Sequence, residues 1–296
     1  MRHAVLGSGG VGGLVGGALA KAGYRVTLLV RTGRRDHYPG QLSVESEMLG
    51  AFEAPAQIAD LLDGDFDVVW ITVKATALEA ALRAVPPEKL GDSVLVPLLN
   101  GVDHVEHLRE SYGAERVLPG TIRVEAEQIG PGRVRHLSAF ADVQVVPRPA
   151  TQARAEALCE ELRGAGLGCE VRDDEVTMLW SKLCFLAPFA LATTASGGPV
   201  GVVRSDPGWW TRLEGCVKEA CAVALAEGAK VVAPEPILAT LKEAPDGFRS
   251  SMQKDVAAGR PPEVEAIAGP ILRGGTKHGI EVSATRALVD RIMELE

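Results

Sequence analysis

The sequence predicts an α/β fold in which an N-terminal domain with a doubly wound sheet precedes a C-terminal all-helical domain. Three observations predict it. Short runs of β-branched residues alternate with helical patterns through residues 1–172. A glycine-rich turn follows the first of these runs directly. Residues 173–296 show almost only helical periodicity, so we expect the domain boundary near residue 172.

The first domain is predicted to form a strand at each apolar, β-branched run. In chain order the runs are HAVLG, YRVTLLV, FDVVWITV, DSVLVPLL, ERVLPGTIRVEA and GRVRHLSAFADVQVV. The GPG at 130–132 is the predicted turn between the last two. The first strand leads through the glycine-rich turn into a helix that ends at Ala22. A helix over TQARAEALCEELRGAG and a short strand at CEVR complete the domain.

The second domain opens with the acidic sequence DDEV, which suits a helix N-terminus. The first helix contains Pro188, and we expect it to kink or end there, because proline lacks the backbone N–H. Further helices are predicted at 209–227, 234–243, 249–258, 263–277 and 284–295.

The composition is typical of a globular protein, with 46% hydrophobic and 24% charged residues. A net charge of -8 argues against nucleic acid or an anionic membrane as the main partner. The five cysteines form no CxxC pair, and with the six histidines they show no metal-ligand spacing, so we expect reduced thiols and no metal. No signal peptide or transmembrane helix is expected, which predicts a cytoplasmic protein.

The sequence GSGGVG follows the first predicted strand and opens a helix, as in dinucleotide-binding turns of the Rossmann type. In that G-x-G-x-x-G pattern, glycines permit the tight turn and the close approach of a pyrophosphate to the helix N-terminus. Glycines also occur in such turns for packing alone. The candidate cofactor-binding residues here are Gly7, Ser8, Gly9, Gly10, Val11 and Gly12.

The end of the second predicted strand indicates which dinucleotide binds. NAD enzymes usually place an acidic residue there for the ribose 2′-hydroxyl. This chain has Arg31, with Arg34 and Arg35 close behind, and a guanidinium suits the 2′-phosphate of NADPH. The alternative is a solvated basic turn.

Two further candidates follow later strands. Lys74 comes after FDVVWITV, and Asn100 with Gly101 ends the next strand. Because ligands of such sheets bind at the carboxyl ends of the strands, all three positions fit a cofactor site. Ordinary turn chemistry is the alternative.

A single lysine interrupts the apolar run MLWSKLCFLAPFALATT. Desolvation lowers the pKa of a lysine, which lets Lys182 give up a proton. Reduction of a carbonyl by hydride needs such a proton for the developing alkoxide. In the alternative, the stem of Lys182 packs and its ammonium reaches water.

Glu263 is the carboxylate most suited to accompany Lys182. It follows Pro262 at a predicted helix start, and it shares a helix face with Ile267. A favourable charge at a helix N-terminus is the alternative explanation. Ser250 and Ser251 precede this segment as either a helix cap or substrate contacts.

The chain resembles the ketopantoate reductase (2-dehydropantoate 2-reductase) family over nearly its whole length. The matching motifs, in the family's order, are GSGGVG, VKA, LLNG, GPGRVRH, LWSKL and SSMQKDVAAGRPPEVEAIAG, of which the last is the most specific. The resemblance implies NADPH-dependent reduction of a 2-oxo acid in pantothenate biosynthesis. It places Arg31 and Lys74 on the 2′-phosphate side of the cofactor, and Ala126 at a backbone contact with it.

The resemblance also implies roles in the chemistry. Lys182 matches the catalytic lysine that protonates the carbonyl oxygen, and Glu263 matches the glutamate near that lysine and the nicotinamide ribose. Asn100 matches the asparagine between cofactor and substrate. Ser251 matches the serine that binds the substrate carboxylate.

Several positions depart from the family pattern on the substrate side. Asparagines usually stand four and eight residues after the lysine, where this chain has Leu186 and Ala190. The usual Thr-Glu-Ile-Asp reads PEVE at 262–265, and the asparagine before Gly269 is Ala268. Leu186 and Ala190 share the helix face of Lys182 and are candidate substrate-binding positions. We therefore expect the reaction type to be retained and the substrate to be ketopantoate or a more apolar 2-oxo acid.

Two other functions remain open. One is reduction of an imine in a secondary pathway, and the other is a non-catalytic NADP-binding protein. The joint presence of Lys182 and Glu263 argues against the second, because a protein that only binds the cofactor has no use for a buried lysine. The resemblance also suggests a homodimer that forms through the helical domain.

Overall fold

The computed structural model describes residues 1–295 of the chain. It divides into two compact units. The first unit comprises Met1–Leu99 and His104–Glu175. The helical unit comprises Asn100–Asp103 and the residues from Val176 onward. The short segment after Leu99 therefore belongs with the helices, although it follows a strand of the first unit in the chain.

The first unit contains strands and helices in alternation, as the sequence predicts. The strands are β1 (Arg2–Leu6), β2 (Arg25–Leu29), β3 (Gln41–Ser46), β4 (Phe52–Pro55), β5 (Gln57–Ala59), β6 (Val68–Ile71), β7 (Val94–Pro97), β8 (Gly120–Arg123), β9 (Ala126–Gly130), β10 (Arg133–His136), β11 (Asp142–Val145) and β12 (Gly168–Val171). The helices are α1 (Gly10–Lys21), α2 (Leu78–Leu82), α3 (His104–Tyr112) and α4 (Gln152–Gly164).

A five-stranded parallel sheet forms the centre of the first unit, in the order β5-β2-β1-β6-β7. The chain moves outward from β1 in one direction through β2 and returns to the other side at β6, so the switch point lies beside β1. Ligands of open α/β sheets bind at the carboxyl edge next to such a switch point. This arrangement confirms the predicted Rossmann-type domain.

The later strands form two smaller sheets rather than extending the parallel one. One has the order β4-β3-β10-β9 and the other β12-β11-β8, and each includes antiparallel pairs. The run GRVRHLSAFADVQVV, predicted as one strand, divides into β10 and β11, whereas ERVLPGTIRVEA contains β8 and only the first residue of β9. The sequence interpretation missed β3, β4 and β5: β4 and β5 are short edge strands, and β3 is an internal strand with only two apolar residues.

The second unit is all helical, as predicted. Its helices are α5 (Glu175–Ser196), α6 (Val200–Ser205), α7 (Pro207–Ala226), α8 (Pro234–Glu243), α9 (Ser251–Ala257), α10 (Val264–His278) and α11 (Ser283–Met293). Of the two outcomes expected at Pro188, a kink or an end of the helix, the end is wrong, since α5 continues for another two turns to Ser196. Pro188 is buried with most of α5, and this packing outweighs the backbone hydrogen bond that a proline cannot donate.

Helix α5 is long and apolar enough to cross a membrane by length and composition alone. Yet 67% of its most apolar window is buried inside the protein. Burial of that extent is typical of the central helix of a globular domain, and we interpret α5 in this way. Its residues pack with those of α7 and α10 in the core of the helical unit.

The prediction of five reduced cysteines is wrong for one pair. Cys159 on α4 and Cys169 on β12 form a disulfide, with their Cα atoms 5.0 Å apart. The fold brings the two together because β12 follows α4 after a short turn. Cys184, Cys216 and Cys221 are free and buried. Among residues 1–295, no group of three or more His, Cys, Asp or Glu side chains has the arrangement of a metal site.

Candidate active site

The glycine-rich turn has the geometry that a dinucleotide pyrophosphate requires. Gly7 follows β1 with a φ of 102°, a conformation that residues with a side chain rarely adopt. A Cβ on Gly12 would overlap the carbonyl oxygen of Gly7 and the hydroxyl of Thr72, so only glycine lets α1 pack this closely. A Cβ on Gly9 would meet nothing in the described chain within 4 Å, which leaves space for a ligand.

The N-terminus of α1 offers backbone donors to that space. Gly9 is the N-cap residue, and no described side chain at the cap accepts from the first turn. Free N–H groups at a helix N-terminus, together with the helix dipole, favour an anion. Ala126 lies against this turn, because a Cβ on Gly10 would overlap its backbone carbonyl. The structure therefore brings the predicted Ala126 and the glycine turn together.

Ser8 carries a contact that the sequence interpretation missed. Its Oγ lies 2.5 Å from the hydroxyl oxygen of Tyr38, and either group can donate the hydrogen bond. Tyr38 lies in the segment after β2 that also contains the arginines, and its ring packs against the core of the first unit. A tyrosine close behind a basic run is the only sequence signal that points to this contact.

The predicted basic residues follow the carboxyl ends of their strands. Arg31 comes two residues after β2, and it is exposed together with Arg34 and Arg35. Lys74 comes three residues after β6 and is also exposed. These strands are the two neighbours of β1, so both positions belong to the same edge of the parallel sheet as Gly7.

Lys182 lies on α5 in the helical unit, and its side chain is partly exposed. Desolvation of the ammonium lowers the pKa of Lys182 from its ordinary 10.5 to about 8, and the nearby Glu263 carboxylate opposes part of that fall. A lysine with this pKa is protonated at neutral pH and gives up its proton more readily than an ordinary one.

Glu263 is only 5% exposed although it is a carboxylate. It lies at the start of a helix, as predicted, where it is the N-cap residue of α10, and its side chain makes no capping hydrogen bond to described backbone N–H groups. Its charge acts on Lys182 instead. The structure thus brings the two predicted catalytic residues together.

Asn100 is partly exposed and precedes Gly101, which has a φ of 87°. A Cβ on Gly101 would overlap the backbone carbonyl of Ala266, so this segment packs closely against the first turn of α10. Asn100 therefore lies in the helical unit, near the helix that begins after Glu263.

The two serines have different environments. Ser250 is buried and caps α9, where its Oγ accepts a hydrogen bond of 3.1 Å from the backbone N–H of Gln253. The Ser250 hydroxyl also shares a 2.9 Å hydrogen bond with Thr193 of α5. Ser251 is exposed at the first position of α9. Of the two, Ser251 is the one whose side chain is available to a ligand.

Two family models match the chain. The model described as "Ketopantoate reductase PanE/ApbA" matches residues 3–147, and "Ketopantoate reductase PanE/ApbA C terminal" matches residues 175–296. The 2-dehydropantoate 2-reductase of Caulobacter vibrioides is 31% identical over 295 residues, which cover 97% of this chain and 96% of that protein. The chain belongs to the ketopantoate reductase family. It is a 2-dehydropantoate 2-reductase-like oxidoreductase, which acts on a CH–OH group.

Two further proteins are similar to this chain over most of its length. The "Uncharacterized oxidoreductase YkpB" of Bacillus subtilis is 30% identical over 273 residues, covering 91% of this chain and 90% of that one. The crystal structure of a PanE/ApbA family ketopantoate reductase from Ralstonia eutropha JMP134 is 27% identical, with a TM-score of 0.89 and coverage of 100% and 98%. The ketopantoate reductase fold therefore extends over the whole chain.

The two departures from the family pattern on α5 lie in different surroundings. Leu186 is partly exposed, one turn after Lys182. Ala190 is fully buried in the core of the helical unit. Of these two predicted substrate-binding positions, only Leu186 has side-chain surface that a substrate can contact directly.

Proposed function

We propose that this ketopantoate reductase family member reduces the carbonyl of a 2-oxo acid with a hydride from NADPH, and that Lys182 donates the proton. The observation that carries the proposal is the Lys182 ammonium, whose pKa falls to about 8 beside the buried Glu263. The glycine-rich turn supports the cofactor part, since Gly9 leaves space for a pyrophosphate at the N-terminus of α1.

The cofactor and the protein supply different groups to the substrate. When bound, NADPH supplies a hydride to the carbonyl carbon. Lys182 holds its ammonium ready for the carbonyl oxygen, stabilises the charge that develops there, and transfers one proton to it. Glu263 keeps Lys182 protonated at neutral pH, because a nearby negative charge favours the ammonium. A 2-hydroxy acid results.

Ser251 and Asn100 are the proposed substrate-orienting residues. Ser251 offers an exposed hydroxyl for the substrate carboxylate, at the first turn of α9. Asn100 offers an amide from the segment that packs on α10. Neither side chain provides the charge for catalysis, so we assign them to orientation of the carbonyl and carboxylate.

The cofactor choice rests on Arg31, which stands where an NAD enzyme usually has an acid. We expect NADPH to bind more tightly than NADH, and Arg31→Ala to remove most of the difference. Calorimetric titration of both nucleotides measures this. Arg25→Ala is the matched control, because Arg25 is an exposed arginine at the opposite end of β2. Equal affinities in the unmodified protein would contradict the NADPH assignment.

The substrate is proposed to carry an apolar tail. Leu186 presents hydrocarbon where the family usually presents an amide, so a substrate hydroxyl facing it would lose a hydrogen-bond partner. That loss corresponds to about ten- to a hundredfold in kcat/KM, from about 1–3 kcal/mol. The test is NADPH oxidation with ketopantoate, 2-oxoisovalerate and longer or aromatic 2-oxo acids. A tenfold preference for ketopantoate would restore the usual family substrate.

The homodimer and the cytoplasmic location stay predictions. Light scattering on the purified protein in solution measures the mass of the assembly directly, and a mass of twice 31.2 kDa is expected.

A further inference from the structure

The segment that carries the arginines is a pair of successive tight turns, which we call the arginine loop (residues 31–38). The backbone N–H of Arg34 donates to the carbonyl of Arg31 at 2.9 Å. His37 then donates to Arg34, and Tyr38 to Arg35, each at 3.1 Å. Through these bonds the three arginines are connected to His37 and Tyr38 at the end of the loop. A displacement of Tyr38 therefore displaces the arginines.

The arginine loop is held at both of its ends. Before it, Val30 continues the sheet by donating its backbone N–H to Ala59 at 2.8 Å. After it, the Tyr38 ring packs against the core of the first unit, and the Tyr38 hydroxyl bonds to Ser8 at 2.5 Å. Ser8 is itself 9% exposed and lies between Gly7 and Gly9. One hydrogen bond therefore connects the arginine loop to the phosphate-binding turn.

NADPH carries two anionic groups, the pyrophosphate and the 2′-phosphate. The ribose that joins them limits the distance between them. The pyrophosphate binds at the N-terminus of α1, and the 2′-phosphate binds to the arginines. Affinity for both at once depends on how well the protein presets the distance between them, because a mobile loop must be ordered at an entropic cost on binding. NADH has only the first of these groups.

We propose that the Ser8–Tyr38 hydrogen bond holds the arginine loop at the position that the 2′-phosphate requires, so that Tyr38 is a positioning residue for the choice of NADPH over NADH. This inference rests on the NADPH preference proposed above. Tyr38 acts through the arginines and needs no contact of its own with the cofactor.

The test is calorimetric titration of the full-length Tyr38→Phe protein with NADPH and with NADH. The substitution removes one hydroxyl and keeps the ring in the core. We expect the Kd for NADPH to rise by about three- to tenfold, the range for a lost net hydrogen bond, and the Kd for NADH to change less than twofold. Tyr24→Phe, also in the first unit and half-buried, is the matched control and should change neither affinity.

A mutant cycle separates positioning from an unrelated effect. In a background that carries Arg31→Ala, Arg34→Ala and Arg35→Ala, Tyr38→Phe should cost little further NADPH affinity, since the arginines that it positions are gone. Fully additive losses would overturn the inference, as would equal weakening of NADPH and NADH by Tyr38→Phe. If the unmodified protein shows no NADPH preference, the proposed cofactor choice fails and the inference fails with it. An intact preference that Tyr38→Phe leaves unchanged refutes only the role of Tyr38.

Discussion

Two carboxylates of the helical unit lie beside helix N-termini and differ in what they bind. Glu219 of α7 accepts hydrogen bonds of 2.7 Å from the backbone N–H groups of Ala284 and Thr285, and a third of 2.7 Å from the Thr285 hydroxyl. It thereby caps α11 from a neighbouring helix. Glu263 is the N-cap residue of α10 itself, yet its carboxylate makes no capping bond in the described chain.

A position at a helix N-terminus therefore does not by itself determine what a glutamate does. The Glu219 carboxylate accepts hydrogen bonds from the first turn of α11, so it stabilises that helix. The Glu263 carboxylate is 5% exposed and acts on the pKa of Lys182. Glu263 is buried, makes no capping hydrogen bond in the described chain and raises the pKa of Lys182. We therefore expect it to affect turnover more than stability. Variants of Lys182 and of each carboxylate test this difference.

The largest effect is expected at Lys182. Lys182→Ala should lower kcat by about 10²–10⁴ while the NADPH affinity changes little, because the variant loses the proposed general acid and keeps the glycine-rich turn. Steady-state kinetics and titration measure the two quantities. Lys218→Ala is the control, since Lys218 is an exposed lysine of α7 that pairs with Glu214. Retention of most of the turnover would make Lys182 a packing residue.

Glu263→Gln should reduce turnover through the protonation state of Lys182. Removal of the negative charge lowers the pKa of Lys182 below about 8, so the protonated fraction at pH 7.5 falls. kcat/KM should fall by the same factor. Glu265→Gln is the control, because Glu265 is an exposed glutamate two residues later. An unchanged kcat/KM would remove Glu263 from the catalytic assignment.

Glu219→Gln should reduce stability and leave turnover nearly unchanged, in contrast to Glu263→Gln. The amide can accept fewer of the three hydrogen bonds at the start of α11, which costs about 1–2 kcal/mol of stability. We expect the Tm to fall by about 2–6 °C and kcat to stay within twofold. Thermal unfolding beside steady-state kinetics makes the comparison. If Glu219→Gln loses turnover without losing stability, the division between the two carboxylates is wrong.

The smallest expected effect concerns Leu186. Because Leu186 is partly exposed, Leu186→Asn can restore the amide that the family usually has without burying it. We expect kcat/KM for ketopantoate to rise by about two- to tenfold, and that for 2-oxoisovalerate to fall. Leu225→Asn, at an exposed leucine of α7, is the control. A lower value for both substrates would indicate that Leu186 does not contact the substrate tail.

The glycine turn and the helical unit were predictable because local chemistry determines them. GSGGVG after a strand permits few other structures, and α8 was predicted with the bounds that it has in the structure. The second sheet was not predictable in the same way, because β3 is stabilised by pairing with β4 and β10, and β4 by pairing with β3, rather than by their own apolar pattern. The Cys159–Cys169 disulfide likewise depends on how α4 and β12 meet.

The site residues follow the same division. Lys182 was identifiable because one charge interrupts an apolar helix, and that irregularity is visible in sequence. The path of α5 through Pro188 was not, because core packing decides whether a helix survives a proline. The Ser8–Tyr38 contact joins residues 30 positions apart, so only the fold reveals it.

The pH dependence of kcat/KM tests most directly whether Lys182 is the proton donor. Burial lowers the pKa of Lys182 to about 8, and only the protonated form can donate, so kcat/KM should be level below that pH and fall about tenfold per unit above it. In Glu263→Gln the fall should begin at lower pH, because the charge that raises the pKa of Lys182 is gone. A profile that stays level to pH 10, or one that Glu263→Gln does not move, would contradict the assignment.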